Sequence, residues 1–261
     1  MTSTTSVPIA SDRPGLAAWG QLILHELRMV VRDTGGLVIP LGLPTLLMVM
    51  SGLAGGTERI PELGGVSAMN AFVIPSTLTM MVALIGIVNM PSFLASYRTT
   101  GVLRRLAVTP AAPSMVLVAQ VVVSLIQTIV GTALALVIGA SALGVVAPGN
   151  LAGTALAMVL TVAAMYALGM LIAAVAPTAN SSVAIGLVTF FATMALGGGL
   201  GGRDNLPGVL ATIGEYVPYG SAVEALSAGW QGNAPNLAHL AALAICTVLA
   251  SGIAAKVFRW E

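Results

Sequence analysis

Between Leu16 and Asp33 the apolar residues Leu16, Trp19, Leu22, Ile23, Leu27, Val30 and Val31 recur at spacings of three and four, with His25, Glu26, Arg28, Arg32 and Asp33 between them. That period lays one apolar stripe along a helix, so residues 16–33 are expected to form an amphipathic helix. Beyond Asp33 the pattern changes to long apolar blocks. Residues 35–54, 71–96, 115–140, 151–175, 180–200 and 237–257 hold no Asp, Glu, Lys or Arg before Lys256 near the end of the last block. At 1.5 Å per residue, about 20 residues of helix cross a hydrocarbon layer of roughly 30 Å. Six membrane spans are therefore expected.

The polar residues inside these blocks are few. Span one contains Pro40 and Pro44, which a membrane helix tolerates when neighbours satisfy the freed carbonyls. Span two contains Pro75, Ser76, Thr77, Thr79, Asn89 and Pro91, and span three Gln120, Ser124, Gln127 and Thr128. Spans four and five are joined by APTANSS, too short to hold a domain, so the two are expected to be antiparallel neighbours. Residues 206–229 break into two apolar pieces at Pro218, each too short to span and each with one acid, Glu215 or Glu224. They read as two short re-entrant helices at the outer interface, with Tyr216, Tyr219 and Trp230 at headgroup depth. The leader, residues 1–15, is rich in Ser, Thr and Pro, has no apolar core and is expected to be a disordered cytoplasmic segment rather than a signal peptide.

Charge adds an orientation. With six spans, one side receives Arg13, Arg28, Arg32, Arg98, Arg104, Arg105, Lys256 and Arg259, and the other only Arg59 and Arg203. Both termini and the basic stretch YRTTGVLRRLAVTPAAP, residues 97–113, are thus expected on the cytoplasmic face. A leading helix with Trp19 and basic residues, directly before an insertable segment, suits the membrane interface. A cytosolic helix packed on a partner is the alternative.

Composition narrows the class. The 261 residues are 57% hydrophobic and 7% charged, with a mean hydropathy of +0.99, which describes an all-α integral membrane protein. A net charge of +1 argues against a nucleic-acid partner. The single cysteine, Cys246, lies in an apolar run and supports neither a disulfide framework nor a thiolate metal site.

Taken in order, the leading helix ending in LRMVVRD, the RTTGVLRRLAVTP after span two, the broken pair LPGVLATIGEYVPYGSAVEALSAGW and the terminal KVFRWE resemble a permease of the ABC-2 type. Nearest in character are the membrane subunits of bacterial drug and polyketide-antibiotic exporters. The resemblance covers nearly the whole chain, residues 16–261 forming one transmembrane domain. It implies a multi-pass protein of the bacterial inner membrane, a second permease facing this one, and two copies of an ATP-binding subunit beneath. It also implies that the segment after span two and the leading helix contact that ATPase, which places Arg98, Gly101, Arg104, Arg105, Glu26, Arg28 and Arg32 at the coupling surface. Family members often carry an acid just before the glycine matching Gly101. Thr99 and Thr100 stand there in this chain, so that contact is not carried over.

Other chemistries find little support. A phosphate-binding P-loop requires a glycine-rich turn ending in Lys and Ser or Thr, and the only lysine is Lys256. ATP and magnesium are therefore expected on the partner, with no cofactor bound here. His25 and Glu26 begin a zinc-protease pattern, but Met29 stands where the second histidine is required, leaving no expected metal site. No acid lies mid-span, where proton- or sodium-coupled carriers place one. The expected function is export of a hydrophobic or amphipathic substrate driven by a separate ATPase. An ATP-independent channel or ion-coupled carrier is the alternative. Candidate path residues are Ser76, Thr77, Met80 and Met81 of span two and Thr189, Phe190, Phe191, Thr193 and Met194 of span five, which mix hydroxyls with soft or aromatic surface. Glu215, Pro218 and Glu224 are candidates for an outer gate.

Overall fold

In the computed structural model, residues 15–61, 65–99 and 114–257 are described, with Arg98, Ser114 and Asp204 described by backbone alone. Among them, six helices are long and apolar enough to cross a membrane: Thr34–Gly56, Met69–Tyr97, Met115–Ala142, Leu151–Val175, Ala179–Leu196 and Leu237–Val257, spans one to six. The protein is an all-α integral membrane protein. A leading helix, Leu16–Arg32, precedes span one, and two short helices, Gly208–Tyr216 and Pro218–Trp230, lie between spans five and six. The only sheet among the described residues is a two-residue antiparallel pair, β1 (Arg59–Ile60) and β2 (Val66–Ser67), in the loop after span one.

Span two is the centre of the bundle. Its most apolar stretch is 78% buried, against 22% for spans five and six. The helix is locally widened to π geometry at Leu84–Asn89, immediately before Pro91. Pro91 has no N–H to give to the carbonyls of Gly86 or Ile87, and glycines of the neighbouring spans press against those same groups. A Cβ on Gly169 of span four would overlap the Gly86 carbonyl oxygen, and one on Gly186 of span five would crowd that of Ile87. Such close backbone approach is how helices gain contact in lipid, where apolar burial offers no advantage over the lipid tails.

Spans four and five were expected to be antiparallel neighbours. They do touch, but span four packs mainly along span six and the second short helix, and span five along span two. A short turn joins two helices end to end without deciding how far they pack, and here the glycine contacts decide it. Span five ends at Leu196, before the expected Leu200, because Gly198, at φ +86°, turns the chain out of the helix.

Pro40 in span one leaves the Gly36 carbonyl without its helical donor. Asn89 of span two and Gln127 of span three supply replacements, with Asn89 Nδ2 donating at 2.9 Å and Gln127 Nε2 at 2.8 Å, while Asn89 also donates to Gln127 Oε1 at 3.1 Å. Three spans thus meet on one orphaned carbonyl. Replacing Asn89 with leucine should destabilise the bundle by about 1 kcal/mol, in the range of interhelical hydrogen bonds in membranes. In a double-mutant cycle with Gln127→Leu, measured by thermal unfolding in detergent, the two effects should be non-additive; strict additivity would mean the amides act separately.

Candidate functional site

The first candidate region lies where the leading helix meets the last turn of span two. Ile23, Leu27 and Val30 pack against Phe93 of span two and Val123 of span three. This apolar contact draws Glu26 inside, where only 2% of it is exposed. Tyr97 closes the site: its hydroxyl is within donating distance of both Glu26 oxygens, at 2.7 and 2.6 Å, and of Met29 Sδ at 3.3 Å. Burial pushes the Glu26 carboxyl up from 4.5, with the Tyr97 hydroxyl and His25 opposing. Arg28 and Arg32 lie on the exposed face of the same helix. Of the other candidate coupling residues, Gly101, Arg104 and Arg105 lie outside the described residues, as does the Arg98 side chain.

The direction of the Glu26 shift carries a testable sign. A carboxyl whose folded value lies above its unfolded one contributes fully below the unfolded value, and that contribution is lost as pH rises through the folded value. Wild-type thermal stability should therefore decline as pH is raised from 4.5, and Glu26→Gln should flatten that part of the profile. A decline of equal size in the variant would assign it to another group.

The second region is at the opposite end of the bundle. Gly198 and Gly202, at φ +86° and +83°, fold the chain back after span five so that Arg203 reaches the two short helices. Arg203 pairs with Glu224 through Nη2, and its Nη1 stands 3.8 Å from Glu215 Oε2. His239 at the start of span six adds a 3.0 Å contact from Nε2 to Glu215 Oε1. Pro218 occupies the first turn of the second short helix, where its missing N–H costs nothing, and Val217 before it is extended. Glu215, Pro218 and Glu224 are thus brought together. Arg203, which entered the sequence reading only as a topology marker, and His239 complete the cluster. Tyr219 and Trp230, expected at headgroup depth, point inward instead: Tyr219 is 2% exposed, and Trp230 Nε1 donates to the Val146 carbonyl at 3.1 Å.

Beside the second region lies a cavity of about 340 Å³, bounded by spans one, two and five and the second short helix. Of the candidate path residues, Ser76, Thr77, Met80 and Met194 line it. Met81 is fully buried and packs over Gly131 of span three. Phe190 is buried behind the wall, edge-on to Tyr219, while Phe191 faces outward. Thr189 is half-buried and does not reach the cavity, and the neighbouring Thr193 hydroxyl donates back to the Thr189 carbonyl at 2.8 Å.

The family model described as ABC-2 type transporter matches residues 18–230, from the leading helix to the end of the second short helix. The chain belongs to that family. No curated protein matches it. As an ABC-2 permease it is the membrane component of an ABC transporter, and the matched range takes in the Glu26–Tyr97 contact, the cavity and every member of the second cluster except His239. The permease domain of this family contains no ATPase site of its own.

Proposed function

We propose that this ABC-2 permease exports a hydrophobic or amphipathic substrate from the bacterial cytoplasm, driven by ATP hydrolysed with magnesium on two copies of a separate ATPase subunit. A second permease, identical or homologous, faces it across the substrate path. Both termini and residues 97–113 lie on the cytoplasmic side, and the two short helices dip into the outer leaflet. The observation that carries the reading is the Glu26–Tyr97 contact. It fastens the leading helix to the end of span two directly before the basic stretch, so that a push on either is passed to the central helix of the bundle. Closure of the ATPase dimer then moves residues 97–113 and the leading helix as a unit, and span two shifts against the glycine contacts of spans four and five. The ion-pair cluster at the outer end is the gate that such a shift opens. Family membership supports the ATPase partner, and the eight-to-two distribution of basic residues supports the orientation.

Co-reconstitution in liposomes tests this. Efflux of a lipophilic dye should require the permease, its ATPase and ATP together. Flux through the permease alone, without nucleotide, would replace the proposal with an ATP-independent channel or ion-coupled carrier.

A further inference from the structure

We infer that the cavity bounded by spans one, two and five and the second short helix is a binding subsite for uncharged molecules that carry an oxygen acceptor, such as a ketone or ester carbonyl. As a step in transport it rests on the permease reading; as a binding site it does not. Most of its wall is soft apolar surface, including Met48, Met80 and Met194, whose unbranched thioethers adapt to ligands of different shape. Set into this wall are four hydroxyls. Thr77 donates back to the Val73 carbonyl at 2.7 Å, the ordinary use of a hydroxyl in a membrane helix. Ser51, Ser76 and Tyr219 make no hydrogen bond among the described residues.

Tyr219 is the telling member. It is 2% exposed as a residue, and it lines the cavity with a hydroxyl that has no hydrogen-bond partner among the described residues. Its ring stands edge-on to Phe190 at a centroid distance of 6.4 Å and packs beside Gly199, where a Cβ would lie 3.1 Å from its Cε1. Burial pushes the hydroxyl up, so it remains a donor. Three donors from span one, span two and the second short helix thus converge on one apolar space of drug-ligand dimensions.

The wall also states what it rejects. Among the described residues, no charged side chain lines the cavity. Of the nearby acids with described side chains, Glu215 and Glu224 are both already engaged by Arg203 and His239 and are not free to receive a cation. An anion likewise finds no cationic side chain among the described residues of the wall.

Benzophenone is a suitable probe, being a neutral diaryl ketone that on illumination inserts into nearby C–H bonds, with methionine side chains as favoured targets. The full-length permease in lipid nanodiscs is labelled without ATP, and the label is located by mass spectrometry. Met50 of span one, which is 56% exposed on the outer surface, reports labelling from the lipid. Labelling of Met48, Met80 and Met194 relative to Met50 should be saturable. Tyr219→Phe, which keeps the ring, should weaken apparent affinity about fivefold, the size expected for one lost hydrogen bond, and Ser76→Ala should act in the same direction. Benzophenone bearing a trimethylammonium group should leave the cavity methionines unlabelled. Labelling of those methionines that does not saturate, or that is unchanged in both variants, overturns the inference. Dye export that requires ATP while cavity labelling fails removes this subsite and leaves the permease reading standing; saturable labelling without ATP-driven export does the reverse.

Discussion

A permease in which Arg104 and Arg105 are both replaced by glutamate is expected to lose most of its stimulation of the partner ATPase, roughly tenfold or more, while its spans remain folded. Two adjacent guanidinium groups form the densest positive charge in the chain, which has only ten Lys and Arg in all. Reversing both places like charge against whatever acidic surface they meet, and like-charge juxtaposition across an interface costs several kcal/mol. Folding should be spared, because Arg104 and Arg105 lie in the connection between span two, which ends at Tyr97, and span three, which begins at Met115. The measurement is ATPase rate with and without permease in co-reconstituted vesicles, alongside thermal unfolding of the permease alone. Wild-type stimulation should also weaken as salt is raised, since exposed charges are screened within about 10 Å at 0.1 M. Normal stimulation by the double variant would move the point of energy transfer to the exposed face of the leading helix, where Arg28 and Arg32 stand.

Gly169→Ala should be among the most destabilising small substitutions in the bundle. The added methyl overlaps the Gly86 carbonyl oxygen, which is backbone in the middle of the central helix and cannot rotate away as a side chain would. Overpacking of this kind costs about 1–3 kcal/mol. Gly252 in span six is the control, because a Cβ there meets nothing within 4 Å. Gly252→Ala should be neutral or slightly stabilising, alanine being the better helix former. Thermal unfolding in detergent compares the two, and equal melting of the variants would rule out the close approach of spans two and four.

Much of the bundle was readable before any coordinates. Pro40 announced an orphaned carbonyl four residues earlier, although not that Asn89 and Gln127 would find it. Span five was expected to run to Leu200, and Gly198 at positive φ shows why the helix stops short of it. The candidate path residues were chosen because they mix hydroxyls with soft surface, a description that fits packing and lining residues equally. Ser76 and Met80 line the cavity whereas Met81, one position on, turns to span three. Adjacent positions on a helix point about 100° apart, and composition is blind to that rotation.

By itself the sequence determined that six helices cross the membrane, where they begin and end to within a few residues, and which loops carry the positive charge. These are local properties: a 20-residue apolar helix partitions into lipid whatever its neighbours are. Only the tertiary structure decided that span two is central, that Glu26 meets Tyr97, that Arg203 and His239 join the two outer acids, and that Tyr219 faces a cavity rather than headgroups. The physical reason is that in lipid an apolar side chain gains little by facing protein over bilayer. Hydrophobicity therefore says which segments enter the membrane but not which face of each turns inward. That is decided by close-fitting glycines and by a few polar groups that find their partners only across helices.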